Sequence, residues 1–400
     1  MQIIKVVSNP EYVSEDILDE DFITTFKHIH CMQVLLGSCR VNVKNRFVTT
    51  PSLFQKFYTL ILMICAFGLN YIAVQVHFDK FKDYKSIYYL RLASVFVEII
   101  KYICIIIHVR FLNGDANAEF FIKLQKTDRL MKIDRNPAIN NILYRINVAT
   151  VVFLTIYFLT LGIISIGSRM FIFLTLIGLA YSQHVFLLEM MLCTNILMYF
   201  FLRIRFVNSI LKNYLYPPEE KLTKSFLITK NAIRYLAAET HDFASSDTDL
   251  YLKELFDSFF QFQTLYRFQI LVFCFKCVIS NLLTFEFAIF AMQSSILDTT
   301  EILITTMYLS FDLLIALLLS IRCESFYREI KETKRLCIGV MALYQDGPLR
   351  EKARKMLSLI EEDPPSFNVY DMWQVDASIF VNILSLITNL VLTLLQFAFL

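Results

Sequence analysis

Glycine and proline are scarce in this chain, eight of each in 400 residues, which excludes collagen-like, low-complexity and Gly-rich linker architectures. No strand-turn punctuation of the kind a transmembrane barrel needs is present, so helices are expected to dominate. Charged residues make up only 18% of the chain and the formal net charge is +2, too little to imply a nucleic-acid partner. The N-terminus lacks the basic-then-apolar pattern of a cleaved signal and begins instead with a polar, acidic stretch, Glu15-Asp16 and Asp19-Glu20-Asp21. There is no Gly-rich phosphate loop, no Gly-x-Ser-x-Gly and no His-Glu-x-x-His, so an enzyme is not expected.

Cysteine is present, but not as a framework. The nine positions 31, 39, 65, 104, 193, 274, 277, 323 and 337 fall in apolar spans or on the expected cytosolic side, and no disulfide set is implied. Cys274-x-x-Cys277 sits in an apolar helix without a second ligand pair, which reads as two buried small hydrophobes; no metal and no cofactor are expected.

What the chain has is apolar length. Hydrophobic residues make up 56%, with 38 Phe and 20 Tyr, and mean hydropathy is +0.53, far more apolar surface than one soluble core hides. Seven segments, 52–77, 86–111, 143–167, 169–202, 264–292, 301–321 and 376–400, are each long enough for the roughly 20 residues that cross a hydrocarbon core. The fourth and fifth are too long for a ~30 Å core, so their cytosolic ends are expected to project as ordinary helices.

Placing the N-terminus and the second, fourth and sixth connections on one side gathers most of the Lys and Arg there, including Lys331, Lys334, Arg335, Arg350, Lys352, Arg354 and Lys355. The other side receives Lys80, Lys82, Lys85 and Arg169. The positive-inside rule therefore predicts a cytosolic N-terminus and an external Leu400, opposite to a G-protein-coupled receptor.

The expected organisation is a cytosolic segment 1–51 with an amphipathic helix carrying Phe22, Phe26, Ile29 and Leu36; transmembrane helices one to four over 52–202; and a cytosolic helical connection, 203–263, with Phe226, Ile233, Leu236 and Ala237 on one face. Helices five and six follow over 264–321, then a cytosolic anchor connection, 322–375, with Leu336, Ile338, Val340 and Leu343, and a last helix, 376–400. Glu98 and Lys101, three residues apart, read as a local ion pair that tolerates burial, and Lys276, Glu286 and Asp312 are further intramembrane charges that read as structural partners.

At 100° per residue the last segment places Ser378, Asn382, Ser385, Asn389, Thr393 and Gln396 on one face, with Phe, Ile, Leu and Val over most of the rest. Uncharged polar groups on a membrane helix look at water or protein rather than lipid, so this face reads as a pore wall. Glu361, Glu362, Asp363, Asp371 and Asp376 precede it and would favour cations at the cytosolic mouth.

The run Asn389 to Phe397 resembles the insect gustatory receptor signature, Thr-Tyr, five hydrophobic residues, then Gln-Phe. Gln396-Phe397 and the spacing match; Asn389-Leu390 stands for Thr-Tyr and Thr393 interrupts the five. The resemblance implies an all-α fold of seven transmembrane helices and a tetrameric ligand-gated cation channel whose seventh helices line a central pore. Gln396 and Phe397 would then form its narrow gate, lined also by Thr393, Asn389, Ser385 and Asn382.

The implied ligand is a small organic tastant held in the outer half of the helix bundle. Tyr88, Tyr157, Tyr181, Gln183, His184, Glu286, Thr305 and Tyr308 are the candidate contacts. Val391 stands where the sugar-sensing branch carries an acid, which points to the group assigned to bitter plant compounds, and Glu286 would suit a cationic ligand such as an alkaloid. A homo- or heterotetramer in the plasma membrane of chemosensory neurons, in contact with lipid, completes the expectation. An odorant-receptor-like channel, a sugar-sensing receptor and a secondary transporter are the alternatives.

Overall fold

A computed structural model describes residues 16–80, 85–133, 137–166, 170–215, 247–293 and 299–399. Within it ten α-helices occupy most of the chain: α1 Glu20–Leu35, α2 Leu53–Lys80, α3 Lys85–Ile106, α4 Gly114–Leu130, α5 Pro137–Ile166, α6 Met170–Leu215, α7 Thr248–Gln293, α8 Thr299–Leu343, α9 Pro348–Glu362 and α10 Ala377–Phe399. Within the described residues each of the seven apolar segments falls on one helix, the second running on into a π-helical turn, Ile107–Leu112. The helical face expected at Phe226, Ile233, Leu236 and Ala237 lies outside the described residues.

Among the described residues five helices are long and apolar enough to cross a membrane, within α2, α3, α5, α6 and α7. Their exteriors carry the matching surface. Phe54, Phe57, Ile64, Phe67 and Tyr71 of α2 and Ile156, Leu159 and Ile163 of α5 are all more than half exposed. Exposed apolar belts on this scale are incompatible with water and natural in lipid. The protein is a mostly helical, multi-pass membrane protein.

α6 is the central pillar, packed against α2, α3, α5, α7 and α8 and buried along nearly all of 178–211. Gly178 brings α2 against it, because a Cβ there would lie 2.7 Å from the Leu69 side chain. The long helices were expected at the fourth and fifth segments; α8 is equally long, continuing from the sixth segment to Leu343. Leu336 and Val340 bury against the body while Ile338 and Leu343 stay exposed, so the face read from sequence over 336–343 is only partly the packed one. α9 packs across α7 and α8 through Ala353, Met356 and Ile360.

α1 begins and ends within two residues of its expected limits and buries Phe22, Phe26 and Ile29 as expected, chiefly against α5. Its C-terminus is closed by a Schellman motif, in which the Gly37 amide donates to Val34 O (3.2 Å) and the Ser38 amide to Gln33 O (2.8 Å). Gly37 takes φ +67°, where a side chain is disfavoured, and a Cβ would also meet Leu62. This reversal sends Ser38–Val41 into the protein interior. A hairpin follows, β1 Asn42–Lys44 with β2 Phe47–Thr49, turning through Asn45 and Arg46 at positive φ. A second short hairpin, β3 Asn368–Val369 with β4 Trp373–Gln374, delivers the chain to α10.

Candidate functional site

α10 has one buried stripe. Ile379, Ile383 and Ile387 are 4–8% exposed and pack on α7 and α8. On the adjoining face, Ser378, Asn382, Ser385, Asn389, Thr393 and Gln396 are all exposed. Thr393 returns its hydroxyl to Asn389 O (2.9 Å), and Asp376 caps the helix start, accepting from the Ser378 amide (2.8 Å) and hydroxyl (2.6 Å). The side chains of Asn382, Asn389 and Gln396 have no partner among the described residues. At 100° per residue the polar strip is bordered by exposed Val381 and Leu392 on one side and Leu386 on the other. The Phe397 side chain lies outside the described residues.

Medium decides what such a strip can face. An amide moved into hydrocarbon without a hydrogen-bond partner costs on the order of 4–8 kcal/mol. Three such amides on one apolar helix therefore require water or a polar partner beside them.

The expected ligand contacts with described side chains are distributed over four settings. Gln183 is buried in a charged network described below. His184, also buried, stands edge-on to Phe158 with centroids 4.1 Å apart, and Tyr157 packs against Phe311 at 3.7 Å, so these rings tie α5, α6 and α8 together. Tyr181 turns instead toward the reversal after α1, its hydroxyl donating to Leu36 O (2.8 Å) beside Tyr102. Tyr88, next to Tyr89, and Glu286 are half-buried near the opposite ends of their helices from the hairpins. The side chains of Thr305 and Tyr308 lie outside the described residues. The structure thus places Gln183 among the charges, His184 and Tyr157 among the rings between α5, α6 and α8, and Tyr181 at the reversal after α1.

Four of the five expected intramembrane charges, all but Glu286, form a single cluster. Lys101 donates to Glu98 and, at 2.5 Å, to Gln183 Oε1; Lys276 donates to Asp312 and lies 3.5 Å from Glu98. Gln183 closes the circuit by donating to Asp312 Oδ1 (3.2 Å). Both ammonium groups also sit near the Phe186 ring, at 4.4 and 5.7 Å from its centroid. Two cations and two anions from α3, α7 and α8 cancel around one amide of α6. The pair Glu98–Lys101 expected from spacing is therefore half of a four-charge arrangement.

A second cluster was not visible in the sequence. Arg40, 1% exposed, donates to Glu189 (2.9 Å), Asn117 (3.0 Å) and Gln269 (2.8 Å), and its guanidinium lies 4.1 Å from the Tyr266 ring centroid. Gln33 donates to the other Glu189 oxygen (2.7 Å). One arginine from the chain reversal thereby joins α1, α4, α6 and α7. Arg110 lies in the π-helical turn Ile107–Leu112 that ends α3, and it donates to Cys39 O. Burial pushes the His30 imidazole down from its ordinary value, with Arg110 adding to the effect, and pushes the Cys39 thiol up. Asp128 and Arg129 serve two further bonds, Asp128 accepting from Arg203 (2.8 Å) and Arg129 donating to Asp19 (2.8 Å). Beyond the spans, hydrogen bonds from Arg335 and Lys212 hold Glu332 at about 2. Among the described residues no group of His, Cys, Asp and Glu could hold a metal ion.

The architecture has a solved counterpart. The olfactory receptor OR5 of Machilis hrabei, in complex with eugenol, superposes on 94% of this chain and over 100% of its own length, with a TM-score of 0.63 and 12% sequence identity. The chain has the fold of an insect olfactory receptor. A second structure of the same receptor covers the same shares at a TM-score of 0.50 and 11% identity. At such identities the likeness is one of fold. No protein-family model matches the chain, and no curated protein matches its sequence significantly.

Proposed function

We propose that the chain is a chemosensory subunit of a ligand-gated, non-selective cation channel, opened by a small organic molecule held in the outer half of the helix bundle. The observation that carries this is α10: its amides and hydroxyls form one exposed strip beside its buried isoleucine stripe, on a helix whose remaining surface is mostly apolar. One such helix encloses nothing. Repeated about a fourfold axis, the strips line a continuous polar path. Gln396 and Phe397 form its outer gate, with Thr393, Asn389, Ser385 and Asn382 below. Amide and hydroxyl groups replace part of an ion's hydration shell without charge, which suits weak discrimination among cations.

For the ligand end, the candidate contacts are Tyr157 and His184, whose rings pack with Phe311 and Phe158 between α5, α6 and α8, and Gln183, with Tyr88 and Glu286 nearer the outer rim. A bitter plant compound is the tastant class proposed, on the resemblance of Asn389–Phe397 to the gustatory signature and the presence of Val391. The likeness to OR5, a receptor solved with eugenol, favours a second reading as an odorant-type receptor of the same channel mechanism.

Expression of the chain alone in cultured cells, challenged with alkaloids, glycosides, phenols and sugars, tests this. Ligand-evoked cation current that Gln396→Ala and Phe397→Ala alter is the expected result. Current unaffected by either substitution, or a response blocked by G-protein inhibitors, contradicts it.

A further inference from the structure

Between α7 and α10 runs an open cavity of about 500 Å³. Cys274, Phe275, Val278 and Ile279 form one wall, and Ile379, Ile383 and Leu386 the other, with Asn382 of the polar strip at its edge. Its floor is polar: Trp373, Gln374, Asp376 and Ser378 gather where the chain enters α10. Residues 376 to 386 span about 15 Å along the helix, so the cavity grades from polar to apolar along the direction of the bilayer normal. None of the expected ligand contacts lines it. Lys276 and Cys277 are buried on another face of the same stretch of α7, so the cavity is separate from the four-charge cluster.

The polar end carries an uncompensated charge. Asp376 Oδ1 accepts the Ser378 amide (2.8 Å) and hydroxyl (2.6 Å), and no cation pairs with Asp376 among the described residues. Trp373, the one tryptophan of the chain, stands in the same lining, and an indole face attracts an ammonium. A carboxylate and an indole at one end, with phenylalanine, isoleucine and leucine at the other, match a molecule with a cationic head and an apolar tail.

We infer that this cavity is a second binding site, for a membrane-borne cationic amphipath whose ammonium pairs with Asp376 beside Trp373 and whose chain lies along Phe275, Ile279, Ile383 and Leu386. Its occupant touches the polar-faced helix directly. The site stands independently of the channel reading, because its occupancy is measurable without current.

Trp373 is the reporter. The full-length protein in phosphatidylcholine nanodiscs is titrated with decylamine, decanol and decanoate while tryptophan emission is followed. Decylamine is expected to give a saturable change at about tenfold lower concentration than decanol, with decanoate weaker still. Asp376→Asn, which keeps a good helix N-cap, removes the tenfold preference and leaves the decanol response in place; Leu386→Phe, which fills the apolar end, suppresses all three. Equal responses to the three heads, or a decylamine preference that survives Asp376→Asn, overturn the proposal. So does emission that answers to none of them in the wild-type protein, which would assign the cavity to a neighbouring copy of the chain.

Discussion

Arg40→Ala is expected to destabilise the detergent-solubilised protein by about 3–5 kcal/mol, the range for removing one partner of a buried ion pair. The cost arises from what is left behind. Glu189 would retain only the Gln33 amide, while the Asn117 and Gln269 carbonyl oxygens lose their donor in a region with almost no solvent access. Because Arg40 links α1, α4, α6 and α7, the loss is expected to be felt as a cooperative loosening, read as a lowered unfolding temperature and early aggregation. Arg40→Met together with Glu189→Met removes both charges and fills similar volume, and is expected to recover a substantial part of the loss. Thermal unfolding of the three variants beside wild type checks this; an Arg40→Ala protein as stable as wild type would show that water or neighbouring groups replace the guanidinium at little cost.

Asp312→Asn is expected to have an effect of similar size at the other cluster. Asp312 is 1% exposed and is the main counter-ion of Lys276, whose other anion, Glu98, is 3.5 Å away and already bonded to Lys101. With Asp312 neutral, two ammonium groups share one carboxylate inside the helix bundle, and the desolvation of one of them is no longer offset. A loss of about 3–5 kcal/mol follows. Adding Lys276→Met to Asp312→Asn restores neutrality and is expected to recover more than half of it. If the double variant is as unstable as the sum of its two singles, the charges do not act as a pair and the account of the cluster fails.

These two clusters also show where the sequence stopped being informative. The seven apolar segments, the polar strip of α10 and the helix α1 were legible because each is a periodic pattern within one element. Glu98 and Lys101 were legible as a pair for the same reason, being one helical turn apart. Lys276 and Asp312 lie 36 residues apart on different helices and join that pair only through packing. Arg40 sits in a polar stretch that reads as solvated, and its single local cue is Gly37, the residue that turns the chain inward after α1. The ligand side was hardest, since α6 is apolar all round and covered on every side, leaving no amphipathic face to say which way Tyr181, Gln183 and His184 point. The structure turns Tyr181 toward Leu36 and Gln183 toward the charges.

The central claim is that the exposed strip of α10 borders the ion path. Single cysteines placed at Asn382, Ser385, Asn389 and Thr393, and for comparison at the buried Ile383 and Ile387, can be challenged with a charged, membrane-impermeant thiol reagent while ligand-evoked current is recorded. Irreversible change of current at the four polar positions and none at the two isoleucines is the predicted result, with the wild-type cysteines as background. Modification that leaves the current unchanged at all four polar positions would contradict the claim.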